Sequence, residues 1–155
     1  MKSVLEQNWV KLGLSVLGCY RTNAWLEDSS GWKTVYHGTK YCENIAKIVD
    51  EGLRIKGGLD ERTYDIRKEV GHGDRYGTGI YVSDLMETAE EYCRPFKMKN
   101  KFYHVILQCR VRPGYFEETP SSRSILLIKD ERDVRLYGIL LREVQSPSSR
   151  HSQER

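Results

Sequence analysis

The sequence predicts an α+β domain in which short strands outnumber the helices. Five or six runs rich in valine, isoleucine, leucine and aromatic residues have the composition of strands. Only two or three segments show the apolar spacing of a short helix, and polar clusters with glycine or proline separate the runs. We therefore expect two packed, mostly antiparallel sheets with a cleft between them and a few short helices.

The first third of the chain predicts one strand between two helical segments. Apolar residues in 3–19 follow a loosely helical spacing, and a polar turn cluster occupies 27–31. Residues 32–37 have the composition of a strand. Residues 42–52 form the clearest helix, because their apolar side chains share one face and the last residue is a glycine, as C-terminal caps often are.

Strands and polar connections alternate in the rest of the chain. Residues 56–77 are polar and rich in glycine, and a loop of this length in a small domain is usually functional or disordered. Residues 85–92 form the last helical pattern, with an acidic residue in the first turn. The remaining predicted strands are 53–55, 79–83, 102–111, 124–128 and 136–143, and the last of them are separated by the polar segments 115–123 and 129–133.

Composition indicates one soluble intracellular domain. A chain of 155 residues can bury a real core, and its net charge of +3, from 25 basic and 22 acidic residues, argues against a dominant nucleic-acid footprint. The four cysteines lack the spacing of a zinc site, so we expect reduced thiols and no metal. No run approaches the roughly 20 apolar residues of a membrane span. We expect a monomer in the cytoplasm or nucleus.

Two short strings carry the functional signal. The string VYHGT at 35–39 ends one predicted strand, the string GTGIYVS at 77–83 covers another, and Tyr92 follows Tyr81 by eleven residues. This order and spacing resembles the NAD-binding signature of the ADP-ribosyltransferases of the diphtheria-toxin/PARP type. The resemblance implies a catalytic domain over 32–144 with NAD in a central cleft.

The same resemblance suggests how the ends of the chain are organised. Residues 1–31 would be an N-terminal helical extension packed on the domain. Residues 145–155 are rich in serine, arginine and glutamine, and we expect them to be a disordered tail.

The residues of the two strings suit the chemistry that this resemblance implies. A donor nitrogen of His37 suits a ribose hydroxyl, Gly38 lets the backbone approach the carboxamide without a Cβ, and Thr39 adds a hydroxyl on the adenosine side. Tyr81 and Tyr92 could sandwich the nicotinamide ring. We expect Gly77 and Gly79 to give the backbone room close to the ligand.

Two positions depart from the family pattern. The serine that bonds the carboxamide three residues before the second tyrosine is replaced by Ala89, with Ser83 and Thr88 nearby as substitutes. Chain-forming members carry a glutamate at the start of the penultimate strand, and counting back five residues from Asp130 places Ile125 there. An isoleucine cannot polarise the acceptor hydroxyl. The third catalytic position, after His37 and Tyr81, is therefore Ile125, as in variants associated with mono-ADP-ribosyl transfer or with lost activity.

Three functions remain open from the sequence. The first is transfer of a single ADP-ribose unit from the co-substrate NAD to a protein or nucleic-acid acceptor. The second is a catalytically silent module that binds NAD or ADP-ribose, suggested by Ala89 and Ile125. The third is RNA 2′-phosphate transfer, whose enzymes share the fold and a similar first string, but the GIYVS string argues against it.

Overall fold

The computed structural model describes residues 8–39 and 79–147. The strands are β1 (Val10–Gly13), β2 (Lys33–Gly38), β3 (Ile80–Ser83), β4 (Phe96–Met98), β5 (Lys101–Val111), β6 (Glu117–Glu118), β7 (Ile125–Ile128) and β8 (Val134–Val144). The α-helix α1 spans Met86–Glu90, and single turns of 3-10 helix cover Ala24–Leu26, Asp28–Ser30 and Glu131–Asp133.

All strand pairs in this part of the chain are antiparallel, as the sequence predicted. The strand order is β1-β8-β5-β2-β3-β7-β6, with β4 paired to β5. Hydrogen bonding therefore connects the described strands into one sheet. The connection between β2 and β3 is narrow, because the two strands share the single pair Tyr36 and Ser83. A division into two packed sheets with a cleft between them stays a prediction.

The larger core cluster lies against one face of this sheet. Alternate residues of β5, from Val105 to Val111, are fully buried there. They meet alternate residues of β3 and β7, such as Val82 and Ile128. Burying each of these side chains stabilises the fold by roughly 1.5–3 kcal/mol. Strands from both sides of the narrow β2–β3 connection thus share one core.

A second cluster lies on the other face and holds α1 in place. Ile106 of β5 and Leu140 of β8 pack there against Trp9 and against Met86 and Ala89 of α1. Because β5 is buried on both faces in its centre, it contains a nearly continuous apolar run, as central strands do.

The predicted strands 32–37, 79–83, 102–111, 124–128 and 136–143 are present within two residues of their expected limits. The predicted helix 85–92 is shorter and ends at Glu90. The helical prediction for 3–19 is wrong at Val10–Gly13, which pairs with β8, because cross-strand hydrogen bonds outweigh a loose apolar spacing. Strand β4 was not predicted, and β6 lies within the predicted loop 115–123.

Several predictions fall outside the described residues. They are the helix 42–52, the strand 53–55, the loop 56–77 and most of the tail 145–155. Cys19, Cys93 and Cys109 form no disulfide within the described ranges, and Cys42 lies outside them. Within those ranges, no helix has the length and apolar character needed to cross a bilayer.

Candidate active site

The candidate site lies where β2 and β3 separate. The two strands pair at Tyr36 and Ser83, and a continuing ladder would next place Gly38 opposite Tyr81. Instead, the carbonyl oxygen of Tyr81 accepts a hydrogen bond from Nδ1 of His37, at 2.8 Å. The side chain of His37 thus takes the place of a backbone N–H as the donor to Tyr81. No further residues of these two described strands pair beyond Tyr36 and Ser83.

His37 is buried and uncharged at neutral pH. It is 1% exposed, and burial lowers its pKa from 6.5 to about 4, although the hydrogen bond to Tyr81 acts in the opposite direction. Because Nδ1 faces a carbonyl oxygen, Nδ1 carries the proton, and Nε2 has only a lone pair to offer. Among the described residues Nε2 has no hydrogen-bond partner. The donor nitrogen expected to face a ligand is thus engaged with Tyr81, and the available nitrogen is an acceptor.

This burial predicts a loss of stability in mild acid. Between pH 6.5 and about 4 the unfolded chain binds a proton at His37 and the folded chain does not. The free energy of unfolding therefore falls as the pH is lowered through this window, by an amount on the order of 3 kcal/mol. Denaturant unfolding of wild type and His37→Asn from pH 7 to 4 measures it. The difference between the two proteins should change with pH, and a constant difference would show that His37 titrates normally.

Gly38 is required by packing. A Cβ on Gly38 would lie 2.0 Å from the backbone oxygen of Ala89 and 3.3 Å from Sγ of Cys93. The end of α1 thus lies directly on the strand. At Gly79, a Cβ would lie 2.6 Å from the backbone oxygen of Ile128. The expectation that both glycines only make room for a ligand is therefore incomplete, since neighbouring backbone already fills that space.

Tyr81 and Ile125 lie side by side. In the β3–β7 register Tyr81 is opposite Leu127 and Ser83 is opposite Ile125, so all four side chains share one face. Tyr81, Ile125 and Leu127 form a buried cluster with Tyr92 packed against it. Ile125 is the first residue of β7, the start of the penultimate strand where the sequence placed it.

The hydroxyls of Ser83 and Thr88 have a structural task. Both donate to the carbonyl oxygen of Arg123, Thr88 at 2.9 Å and Ser83 at 3.5 Å. Ser83 Oγ also accepts the N–H of Leu85, at 3.0 Å. These bonds hold the chain that leads into Ile125. Both hydroxyls were expected to replace the serine that bonds the carboxamide. In this structure each already donates its hydrogen to the carbonyl oxygen of Arg123 instead.

Thr39 is tied into the sheet beyond β2. Its N–H donates to the carbonyl oxygen of Val105 and its own carbonyl oxygen accepts the N–H of Arg94, both at 3.4 Å. The Thr39 side chain is fully buried. Thr39 therefore connects β2 and β5 to the chain just after Tyr92.

A small pocket brings most of the predicted residues together. Its lining consists of Tyr36, Gly38, Tyr81, Val82, Ser83, Thr88, Ala89, Tyr92 and Ile125. His37, Thr39 and Gly79 do not line it, and Gly77 lies outside the described residues. Tyr36 was not predicted as a site residue. Its position two residues before Gly38 on a strand could have indicated it, because such residues share a face.

The described residues include no group of three side chains suited to hold a metal ion. Buried aromatic rings and an acceptor nitrogen without a partner suit an organic ligand with a flat ring and hydroxyl groups. The roles of the individual residues toward NAD stay predictions.

An antiparallel fold that brings Gly38, Tyr81 and Tyr92 to one pocket is compatible with the class of ADP-ribosyltransferases. The family model of the Poly(ADP-ribose) polymerase catalytic domain matches residues 18–138, and the chain belongs to this family. Such domains use NAD as a substrate. A comparison with curated proteins found no match. The family match begins at residue 18, within the segment expected to be an extension, and the division at residue 31 stays a prediction.

Proposed function

We propose that this domain transfers a single ADP-ribose unit from NAD to an acceptor and releases nicotinamide. The acceptor is a protein side chain or a nucleic-acid end. The observation that carries the proposal is Ile125, which opens β7, is 2% exposed and touches Tyr81. An isoleucine supplies no carboxylate to activate a ribose hydroxyl for chain growth, so the proposal is limited to the first transfer.

Donor binding is proposed to use the residues that line the pocket together with the buried His37 beside it, which does not itself line the pocket. Nε2 of His37 accepts a hydrogen bond from a ribose hydroxyl, and the backbone of Gly38 meets the carboxamide. Tyr81 and Tyr92 lie on either side of the nicotinamide ring, with each aromatic contact worth about 1–3 kcal/mol. The ribose–nicotinamide bond breaks through an oxocarbenium-like state. The chain therefore contributes positioning and electrostatic stabilisation, which need no nucleophile on the enzyme.

A silent module is the second candidate. The hydroxyls of Ser83 and Thr88 already donate to the carbonyl oxygen of Arg123, and Ala89 offers no hydroxyl. Without a side-chain donor for the carboxamide, NAD would bind through backbone and ring contacts alone. Incubation with labelled NAD separates the two candidates, because transfer leaves label on the protein or on added RNA and a silent module binds without labelling.

Binding is measured independently by melting. A ligand that binds only the folded state stabilises it by about 2.7 kcal/mol at a hundredfold excess over its Kd. We therefore expect NAD to raise the melting temperature for both candidates. No shift at millimolar NAD would contradict both.

The products distinguish single-unit transfer from chain growth. Wild type is expected to yield discrete single mass steps in intact-protein mass spectrometry. Two or more units on one modified residue would show that another acid, such as Glu131 in the turn before β8, takes the role that Ile125 cannot fill.

Substitution at Ile125 tests its environment. Ile125→Glu places a carboxylate among Tyr81 and Leu127, which raises the carboxyl pKa. An uncompensated buried charge is expected to lower the free energy of unfolding by about 3–5 kcal/mol. The control Ile125→Val should lower it by only about 0.5–1.5 kcal/mol. Denaturant unfolding measures both free energies. Equal losses for the two variants would mean that Ile125 is exposed to solvent in the folded domain.

A further inference from the structure

Aromatic rings and guanidinium groups alternate along one surface of the domain. Arg135 Cζ lies 3.8 Å from the ring centroid of Tyr20 and 4.6 Å from that of Trp32. Arg112 Cζ lies 5.6 Å from Trp32 and 5.2 Å from Tyr115. The row Tyr20, Arg135, Trp32, Arg112, Tyr115 is named the arginine–aromatic ladder. All four contacts are within the range of cation–π attraction.

A second layer supports the ladder from below. Trp25 is 2% exposed and lies 5.4 Å from Arg135 and 6.1 Å from Trp32, measured to ring centroids. Its ring also meets Tyr137, over which Lys11 and Arg110 are placed at 5.2 and 5.7 Å. These inner contacts hold the chain before β2 against the sheet. The outer rings are different, since Tyr20 is 37% exposed and Tyr115 is 56% exposed.

The surface is locally positive although the whole chain is close to neutral. Arg110 pairs with Asp28 at 3.2 Å, and Arg112 lies 3.3 Å from Asp133. Within residues 8–39 and 79–147, no carboxylate is within ion-pair distance of Arg135. Lys11 is exposed and likewise has no ion pair in this part of the chain. The surface thus contains exposed aromatic rings and more cationic side chains than carboxylates that pair with them.

We propose that the arginine–aromatic ladder binds single-stranded nucleic acid. Unpaired bases would stack on the exposed rings of Tyr20 and Tyr115, and phosphates would face Arg112 and Lys11. Interleaved cations and rings are the usual composition of such surfaces. In a duplex the base faces are stacked on one another and cannot stack on the tyrosine rings. A duplex would therefore contact only the cationic side chains. An acidic protein likewise needs no flat ring, and the two exposed tyrosines therefore favour the single strand.

The ladder and the candidate active site lie at opposite ends of β2. Trp32 precedes β2 on the same face as Tyr36 and Gly38 by the alternation of the strand. Gly38 is six positions after Trp32, which is about 20 Å along a strand. A strand of nucleic acid that continues from the ladder along β2 would reach the pocket after about 20 Å. Binding itself does not depend on NAD, so it can be tested even if transfer is absent.

Fluorescence anisotropy of a labelled oligouridylate of about 15 nucleotides tests the proposal on the whole protein. Wild type is expected to bind it more tightly than a duplex of equal length or a polyglutamate peptide. Tyr115→Ala should weaken binding about tenfold, the loss of one stacked base. Tyr115→Phe keeps the ring and should bind like wild type. Lys11→Ala should reduce the slope of log affinity against log salt by about 0.7.

Lys101→Ala is the matched control, because Lys101 is exposed, pairs with Glu143, and lies at the start of β5, whereas Arg112 follows the end of that strand. It should leave affinity and slope unchanged. Three results would overturn the proposal: no binding of the oligouridylate at low salt, equal binding of duplex or polyglutamate, or equal weakening by Lys101→Ala and Tyr115→Ala. Each variant is first shown to melt like wild type, which the exposure of Lys11 and Tyr115 leads us to expect.

Discussion

His37→Asn is expected to lower NAD-dependent labelling by about 100-fold while leaving the fold largely intact. The asparagine amide can occupy the place of Nδ1 and keep the bond to the Tyr81 carbonyl oxygen, which is 2.8 Å long in wild type. It cannot reach the place of Nε2, so the contact proposed for the ribose is lost. A misplaced substrate can cost about two orders of magnitude in rate. Labelling with radioactive NAD at equal concentrations of folded protein measures the effect.

Two further variants make the result specific. His37→Gln keeps a polar atom near Nε2 and breaks the bond to Tyr81, so it should lose about 1–3 kcal/mol of stability and less activity than His37→Asn. His104→Asn is the matched control. His104 is also buried, bonds Glu90 through Nδ1 at 2.9 Å, and has no partner for Nε2 among the described residues. Normal labelling by His37→Asn, or equal losses at His37 and His104, would contradict the proposed contact.

Gly38→Ala is expected to destabilise the domain by about 3 kcal/mol or more. The new Cβ would lie 2.0 Å from the backbone oxygen of Ala89, so α1 must move away from β2. Crowding of a packed core typically costs about 1–3 kcal/mol, and a clash with backbone lies at the upper end or beyond. Denaturant unfolding measures the loss, and labelling of the remaining folded protein should also fall because Ala89 and Tyr92 line the pocket.

Gly13→Ala is the control for this substitution. Gly13 lies in β1, and a Cβ there meets nothing within 4 Å. We expect a change near zero, or a small gain because alanine has less freedom to lose on folding. Equal stabilities of the two alanine variants would show that α1 does not rest on Gly38 in solution.

Much of the fold could be predicted because strand-forming runs are local features. The β-like composition of 32–37, 79–83 and 102–111 predicted strands that are present. β6 was missed because two glutamates carry no apolar pattern. It forms because its backbone pairs with Leu126 and Leu127 of β7.

The sequence named several residues that the fold brings together, and their roles as site residues stay predictions. The strings VYHGT and GTGIYVS, with Tyr92 and the count back to Ile125, included Gly38, Tyr81, Ser83, Tyr92 and Ile125, which line one pocket, and His37, Thr39 and Gly79, which do not. Their hydrogen bonds were not predictable. The bond between Nδ1 of His37 and the carbonyl of Tyr81 joins positions 44 residues apart. The hydrogen bond from Thr88 to Arg123 joins positions 35 residues apart.

The sequence by itself determined the antiparallel α+β class, the strands that carry His37 and Tyr81, and an isoleucine at the start of the penultimate strand. These follow from local composition and spacing. Only the tertiary structure decided that the available nitrogen of His37 is an acceptor, that Gly38 makes room for Ala89, and that Tyr20 shares a row with Arg135. Each depends on a contact between distant segments, and such contacts exist only once the strands have paired.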